Sequence, residues 1–111
     1  MPVAVTEYGS GEVLMVGFQN KESLALTLKT RQAYYYYPER DCIEKKGSHS
    51  GNIQTIMNIK MNCEENAFLF VVEQKGCVCR TGRHSCFFKE IYDSSYSKQE
   101  KFGRLVLDDE K

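Results

Sequence analysis

The sequence lacks an excess of charge of either sign, because 15 lysines and arginines balance 15 aspartates and glutamates. A chain without net charge has no overall field that would draw it to nucleic acid or to a membrane surface. Its apolar runs are far shorter than the roughly 20 residues that a membrane-spanning helix needs. The first residues also lack the basic region and long apolar block of a secretory signal. We therefore expect a protein of the reducing cytoplasm that binds neither nucleic acid nor membrane.

An even set of cysteines is also absent, since the five cysteines stand at positions 42, 63, 77, 79 and 86. An odd number without a secretory signal argues against a disulfide framework. Free cysteines are often small buried apolar residues, and we favour that interpretation for Cys42 and Cys77. Cys63, Cys79 and Cys86 instead suit a zinc site, because three thiolates leave one metal position open for a catalytic water.

The length of 111 residues allows one domain with one modest core. Hydrophobic periodicity predicts an α+β fold, with a small, mostly antiparallel sheet and one main helix. We predict strands at 13–19, 33–37, 53–61 and 67–74, a further strand starting at Cys86, and a helix at 21–30 capped by Asn20. The polar segment 39–52 is predicted to be a solvated loop. Residues 92–111 are a polar extension in which FGRLVL would add an edge strand.

Apolar patterns also assign faces to these elements. The strand 13–19 is apolar on both faces and is expected to be buried, and Leu24 and Leu28 are expected on one face of the helix. In the strand 53–61, Met57 lies on the predicted apolar face and Gln54 on the polar one. The four consecutive tyrosines 34–37 are expected to pack in the core and at an interface.

The spacing of the three candidate zinc ligands bears on how many chains form the site. Cys79 and Cys86 are seven residues apart across a glycine turn. The strand between Cys63 and Cys79 separates them by roughly 20 Å or more along the chain. A symmetric dimer would supply Cys63 from one subunit and the other two cysteines from its partner. A loop that folds back would close the site within one chain.

Three blocks of sequence carry a resemblance to a known family: GEVLMVGFQNKESL, KKGSHSGNIQ and VEQKGCVCRTGRHSCFF. In order and spacing they resemble phosphoribosyl-AMP cyclohydrolase, the enzyme of histidine biosynthesis that opens the adenine ring hydrolytically. The resemblance covers about residues 11–88 of a single domain that spans 1–111. It implies a small-molecule nucleotide substrate and a homodimer with an intersubunit zinc on Cys63, Cys79 and Cys86.

The sequence departs from the family pattern at several polar positions. The family holds magnesium on aspartates around its first cysteine, where this chain has Asn62, Glu64 and Asn66. One carboxylate remains, so a hard cation is expected to bind weakly. Arg80 replaces the family's histidine after the second cysteine, and arginine keeps its proton near neutral pH, so it is not a general base. Further changes are Pro38 for arginine, Glu44 for tryptophan and Asn52 for histidine.

The candidate site residues follow from the same blocks. The catalytic candidates are Arg80, by its position, the two histidines His49 and His84, and Glu73 as an alternative base. Lysine and glycine backbone amides can cradle a phosphate. The substrate-binding candidates are Arg40, Lys46, Gly47, Ser50, Gly51, Asn52 and Gln54.

Three functions remain open from the sequence. The first is zinc-dependent hydrolysis of the N1–C6 bond of phosphoribosyl-AMP, in which zinc lowers the pKa of its water toward about 7. The second is a zinc hydrolase that acts on another nucleotide or heterocycle, which the changed pocket residues motivate. The third is a zinc-stabilised dimer that binds a nucleotide or partner without turnover.

Overall fold

The computed structural model describes residues 1–79 and 81–94. Its elements are β1 (Pro2–Glu7), β2 (Val13–Phe18), α1 (Lys21–Thr30), β3 (Tyr34–Tyr37), β4 (Cys42–Lys45), β5 (Gln54–Met61) and β6 (Phe68–Gln74). The order in the main sheet is β2-β1-β6-β5, with β1 and β6 parallel and the other neighbours antiparallel, while β3 and β4 form a separate antiparallel pair. The α+β prediction, with a small, mostly antiparallel sheet and one helix, is confirmed for the described residues.

The core is centred on the two middle strands of the main sheet. Val3 and Val5 of β1 and Val72 of β6 are at most 1% exposed. Tyr35 of β3 packs its ring on that of Phe70, with centroids 6.2 Å apart. β1 was absent from the sequence prediction, yet it joins the β2 side of the sheet to β6.

The helix begins and ends as predicted, but it docks through polar groups. Asn20 accepts a hydrogen bond from the Ser23 amide at 2.8 Å, and Ser23 Oγ accepts one from the Asn20 amide at 2.9 Å. The buried residues of α1 are Ser23 and Thr27, and Thr27 Oγ1 accepts a bond from the Tyr34 amide at 3.0 Å. Leu24 is half-buried and Leu28 is 61% exposed, so the face that carries both leucines is not the most buried face of the helix.

Two strands have faces that differ from the prediction. β2 is an edge strand that pairs only with β1, and Val16 and Phe18 are exposed, so it is not buried on both faces. The β5–β6 register shifts between Ile56 and Asn58. This irregularity leaves Met57 exposed and Gln54 fully buried, the reverse of the predicted faces.

Two further strand predictions are wrong. The segment 39–52 is not a loop throughout, because β4 pairs residue by residue with the tyrosines of β3. Residues 86–88 form no strand, and the Cys86 amide instead bonds the Leu14 carbonyl at 2.8 Å. The FGRLVL segment lies outside the described residues, and the single domain over 1–111 stays a prediction. No helix in the described part of the chain is long and apolar enough to cross a membrane.

Candidate functional site

The cysteine loop, residues 77–86 without Arg80, follows β6 and closes on itself. The Val78 amide donates to the His84 carbonyl at 3.2 Å, and the Cys79 amide to the Arg83 carbonyl at 3.0 Å. These bonds bring the two ends of the loop together, as in a short hairpin. Cys79 and Cys86 therefore come close although they stand seven positions apart in the sequence.

The far end of the cysteine loop is anchored to β2. Ser85 is buried, and its hydroxyl donates to the Val13 carbonyl at 2.7 Å. The Cys86 amide donates to the Leu14 carbonyl at 2.8 Å. Because these partners belong to the main sheet, the backbone at Cys86 is held by the rigid part of the fold.

The thiols of Cys79 and Cys86 are within hydrogen-bond reach of each other. Although Cys86 is exposed overall, partial loss of water raises the pKa of its thiol, and Cys79 raises it further, while the Lys46 ammonium lowers it. The Thr81 hydroxyl donates to the Cys79 sulfur at 3.0 Å. The two sulfurs form a ready pair of soft donors, and a metal that binds them must displace their protons.

Cys63 lies away from this pair within one chain. It is exposed in the turn between β5 and β6, next to the Met61–Phe68 pair. The cysteine loop leaves the opposite end of β6, after Gln74, so the strand length puts roughly 20 Å between the two regions. Among the described residues the three sulfurs are not a group whose ligand atoms lie within 4.8 Å of one another.

A cavity of about 390 Å³ joins the cysteine loop to the segment 46–52. Its lining residues are Lys46, Ser50, Asn52, Cys77, Val78, Cys79 and Gly82. It therefore brings together side chains from two separate sequence blocks. A cavity of about 420 Å³ near Phe18, Leu24 and Phe68 has neither cysteine nor histidine in its lining. The smaller cavity is the candidate site, because chemically active groups line it.

The segment 46–52 is shaped by close backbone packing. The Lys46 ammonium donates to the Val78 carbonyl at 3.1 Å, which ties this segment to the cysteine loop. Gly47 has φ +79°, and a Cβ there would lie 2.5 Å from the backbone of Asn52. The Gly51 amide donates back to the Gly47 carbonyl at 2.8 Å. Only glycine fits this approach without moving the cavity wall.

Asn52 connects the cavity wall to a polar network in the core. Its side-chain Nδ2 donates to the Cys77 sulfur at 3.6 Å, and its backbone carbonyl accepts from Gln74 Nε2 at 3.2 Å. Gln54 Nε2 donates to Gln74 Oε1 at 2.8 Å, and Tyr35 donates its hydroxyl proton to Gln54 Oε1 at 2.5 Å. Gln54 is fully buried and is not in the cavity lining, so it supports the wall from behind.

The cysteines outside the candidate zinc set are half-buried, so the prediction of simple buried apolar residues is wrong for both. Cys42 pairs with Tyr37 between β3 and β4. Cys77 lines the cavity and accepts the bond from Asn52. The CVC spacing that places Cys77 two residues before Cys79 is the signal that would have indicated a site residue.

Other predicted residues lie outside the cavity. Arg40 pairs with Glu44 at 3.3 Å and its guanidinium lies 4.6 Å from the centre of the Tyr37 ring. Glu73 is exposed on β6. His49 is exposed and lines a neighbouring depression of about 210 Å³ that shares Lys46 and Ser50 with the cavity. Arg80 lies outside the described residues. The roles assigned to these residues stay predictions.

The His84 side chain lies beside the turn between β1 and β2. Its Nε2 is 2.9 Å from Glu7 Oε2 and 3.7 Å from Glu12 Oε1. It does not line the cavity. Sequence reasoning missed Glu7 and Glu12 because they stand 77 and 72 positions before His84 and belong to none of the quoted cysteine motifs.

Hydrogen bonds of two asparagine side chains stabilise the turn around Cys63. Asn62 Oδ1 accepts bonds from the amides of Asn66 and Ala67, both at 2.9 Å. Asn62 Nδ2 also donates to Asn66 Oδ1 at 2.6 Å. Glu64 is the exposed carboxylate between them. Both amide oxygens already accept hydrogen bonds, and weak magnesium binding at this turn stays a prediction.

Comparison with known proteins gives a consistent set of relatives. Residues 15–88 match the family described as phosphoribosyl-AMP cyclohydrolase. The chain is 42% identical over 98 residues to the phosphoribosyl-AMP cyclohydrolase of Streptococcus thermophilus, covering 88% of each protein. It is 42% identical over 91 residues to that of Archaeoglobus fulgidus, covering 82% of this chain and 84% of the relative. It is 48% identical over 98 residues to the histidine biosynthesis bifunctional protein HisIE of Wolinella succinogenes, covering 87% of this chain and 43% of the relative.

Proposed function

The chain belongs to the phosphoribosyl-AMP cyclohydrolase family, and on that premise we propose that it is a cytoplasmic hydrolase of histidine biosynthesis. It opens the adenine ring of phosphoribosyl-AMP at the N1–C6 bond. Water supplies the hydroxyl that bonds to C6 and the proton that N1 receives when the bond breaks.

The observation that carries this proposal is the cavity of about 390 Å³. It combines Cys79, a soft metal donor, with the ammonium of Lys46 and the polar side chains of Ser50 and Asn52. A nucleotide substrate needs both kinds of group, one to promote attack on the base and another to hold phosphate and ribose. The chemistry of the lining therefore suits the reaction that the relatives are named for.

The cysteines suit zinc as the metal. Cys79 and Cys86 offer two sulfurs within hydrogen-bond reach of each other, and Cys63 offers an exposed third thiol. Thiolates are ligands that zinc prefers, and three of them leave a position open. When bound, zinc would supply hydroxide by lowering the pKa of its water toward about 7.

The side chains of the cavity position the substrate. The Lys46 ammonium uses one of its three protons for the Val78 carbonyl, which leaves two for an anionic phosphate. Ser50 Oγ accepts from the Asn52 amide at 3.2 Å, so its own proton is available for a phosphate or ribose oxygen. His49 is the stronger candidate to protonate N1, because it shares Lys46 and Ser50 as neighbours with the cavity, whereas His84 faces Glu7.

A homodimer with a shared site is part of the proposal. Within one chain Cys63 is held at the far end of β6 from the cysteine loop. A symmetric dimer allows the β5–β6 turn of each subunit to approach the cysteine loop of the other. It would then contain two equivalent zinc sites.

The activity is tested with purified protein loaded with one zinc per chain and incubated with phosphoribosyl-AMP. We expect the ultraviolet absorbance of the nucleotide to change as the purine ring opens. Cys63→Ser should remove both bound zinc and turnover, while Cys42→Ser is the matched control that keeps both. The proposed site would be contradicted if the zinc-loaded wild type did not turn over phosphoribosyl-AMP, or if Cys63→Ser bound as much zinc as the wild type.

Mixing inactive variants tests whether the site is shared. Cys63→Ser mixed one to one with Cys79→Ser, then unfolded and refolded together, gives heterodimers in half of the molecules. Each heterodimer has one site with all three cysteines, so about a quarter of wild-type activity should return. A site formed within one chain predicts no return of activity.

A further inference from the structure

The turn between β1 and β2 meets the cysteine loop at three metal-ligating side chains outside the cavity. These are Glu7, Glu12 and His84, whose ligand atoms all lie within 4.8 Å of one another. The separations from His84 Nε2 are 2.9 Å to Glu7 and 3.7 Å to Glu12. Ligands at about 2.1 Å from a cation are about 3.0 Å apart in an octahedral site and about 3.4 Å apart in a tetrahedral one. The two separations that involve His84 are close to these values, and the two carboxylate oxygens lie within 4.8 Å of each other.

The charge of this group favours a cation. Across residues 1–79 and 81–94, no lysine or arginine forms an ion pair with Glu7 or Glu12, and the partner of both is the imidazole of His84. The nearby Arg83 lies over the Phe88 ring, at 4.4 Å from its centre. Two carboxylates brought together without a lysine or arginine beside them repel each other, and a divalent cation relieves that repulsion.

The group is oriented by its surroundings before any ion binds. Glu7 Oε1 accepts a hydrogen bond from Ser10 Oγ at 2.8 Å, while Glu7 Oε2 faces His84. Ser10 Oγ in turn accepts from the Glu12 amide at 3.2 Å, and the Glu7 amide donates to the Glu12 carbonyl at 2.8 Å. Hydrogen bonds to the second oxygen of a ligating carboxylate fix its direction, as they do in metal sites.

We propose that Glu7, Glu12 and His84 bind a divalent transition-metal cation at a site separate from the cysteines. An imidazole with two carboxylates suits Mn²⁺ or Zn²⁺, whereas Mg²⁺ and Ca²⁺ prefer oxygen ligands alone. The ion would link the β1–β2 turn to the cysteine loop and so restrict the loop that carries Cys79 and Cys86. This proposal does not depend on the reaction that the cavity performs.

Mn²⁺ is the probe, because thiolates select other metals and carboxylates and water suit this ion. The protein as purified is titrated with Mn²⁺, and the free ion is followed by its electron paramagnetic resonance signal. We expect one Mn²⁺ per chain in the wild type and an affinity at least about tenfold lower in His84→Gln. His49→Gln removes the other histidine and is the matched control, with Mn²⁺ binding equal to the wild type.

A folding check accompanies the titration. Circular dichroism of His84→Gln should show an unfolding temperature within a few degrees of the wild type; if it falls further, Glu12→Gln, on the exposed turn, takes its place. Failure of the wild type to bind Mn²⁺ at millimolar concentration overturns the proposal. Wild-type affinity in the folded variant overturns it as well. Neither result bears on cleavage of phosphoribosyl-AMP, so the two proposals fail separately.

Discussion

Replacing Tyr35 by phenylalanine tests the polar network behind the cavity. The Tyr35 hydroxyl donates to Gln54 Oε1 at 2.5 Å, and both side chains are at most 1% exposed. The phenylalanine ring can keep the packing on Phe70, so the change is confined to one hydroxyl. The Gln54 oxygen then loses its donor in a place that bulk water does not reach.

The magnitude follows from that buried acceptor. Leaving a buried polar group without a partner costs about 1–3 kcal/mol. With a urea m value of about 2 kcal/mol/M, the midpoint of unfolding should fall by about 0.5–1.5 M without a change of slope. Far-ultraviolet circular dichroism measures the transition, at one fixed protein concentration because association would shift the midpoint.

Tyr36→Phe is the matched control on the next residue. Its hydroxyl donates to Asp41 at 2.7 Å, but that bond is exposed and water can replace it. We expect a change within about 0.5 kcal/mol. Gln54→Leu should lower the additional cost of Tyr35→Phe, because the unsatisfied acceptor is then absent. A Tyr35→Phe variant as stable as the wild type, or a Tyr36→Phe variant equally destabilised, would refute the reasoning.

Three further predictions concern the turns and the core. A left-handed backbone costs a residue with a Cβ about 1–2 kcal/mol, and Gly47→Ala should destabilise the fold by more than this because its Cβ would lie 2.5 Å from the Asn52 backbone. Gly51→Ala, with φ +80° and no atom within 4 Å of the added Cβ, should cost only that backbone strain. Equal unfolding midpoints for the two variants would contradict this prediction. Activity should not depend on magnesium, because the amide oxygens of the β5–β6 turn already accept hydrogen bonds; micromolar magnesium binding at that turn by calorimetry would oppose this. Burial, and then the neighbouring Tyr37, raises the pKa of Tyr35, so its contribution to stability is complete below the unfolded pKa of about 10 and declines above it. An ultraviolet titration should show this tyrosine ionising only with alkaline unfolding, and ionisation in the folded protein near pH 10 would argue against it.

The fold was predictable where one residue pattern dominates. The helix at 21–30 has a strong cap at Asn20, and its bounds are those of α1. β1 was missed because PVAVTE is short and only Val3 and Val5 are strongly buried. β4 was missed because its residues are half-buried and mixed in character. Such strands are specified by their partners, which local patterns do not include.

The site was predictable as a set of motifs but not as a shape. Lys46, Ser50 and Asn52 line the same cavity as Cys79, as the two sequence blocks suggested. Gln54 belongs to the same block, yet it is fully buried, because the register shift between Ile56 and Asn58 breaks the alternation that placed it on the polar face. The position of Arg40 also depends on tertiary partners, since Glu44 and Tyr37 hold it elsewhere. The order of residues in the sequence does not determine whether these side chains point into the cavity or away from it.

The structural unit that supports the cysteine loop is larger than the segment that matches the family model. The family match begins at Met15, yet the carbonyls of Val13 and Leu14 hold Ser85 and Cys86. β1 precedes the match as well, and it pairs with both β2 and β6. A strand that joins two neighbours in a sheet cannot be removed without leaving their backbone groups unpaired. The N-terminal residues therefore set the geometry of the cysteine loop, although they contribute none of its thiols.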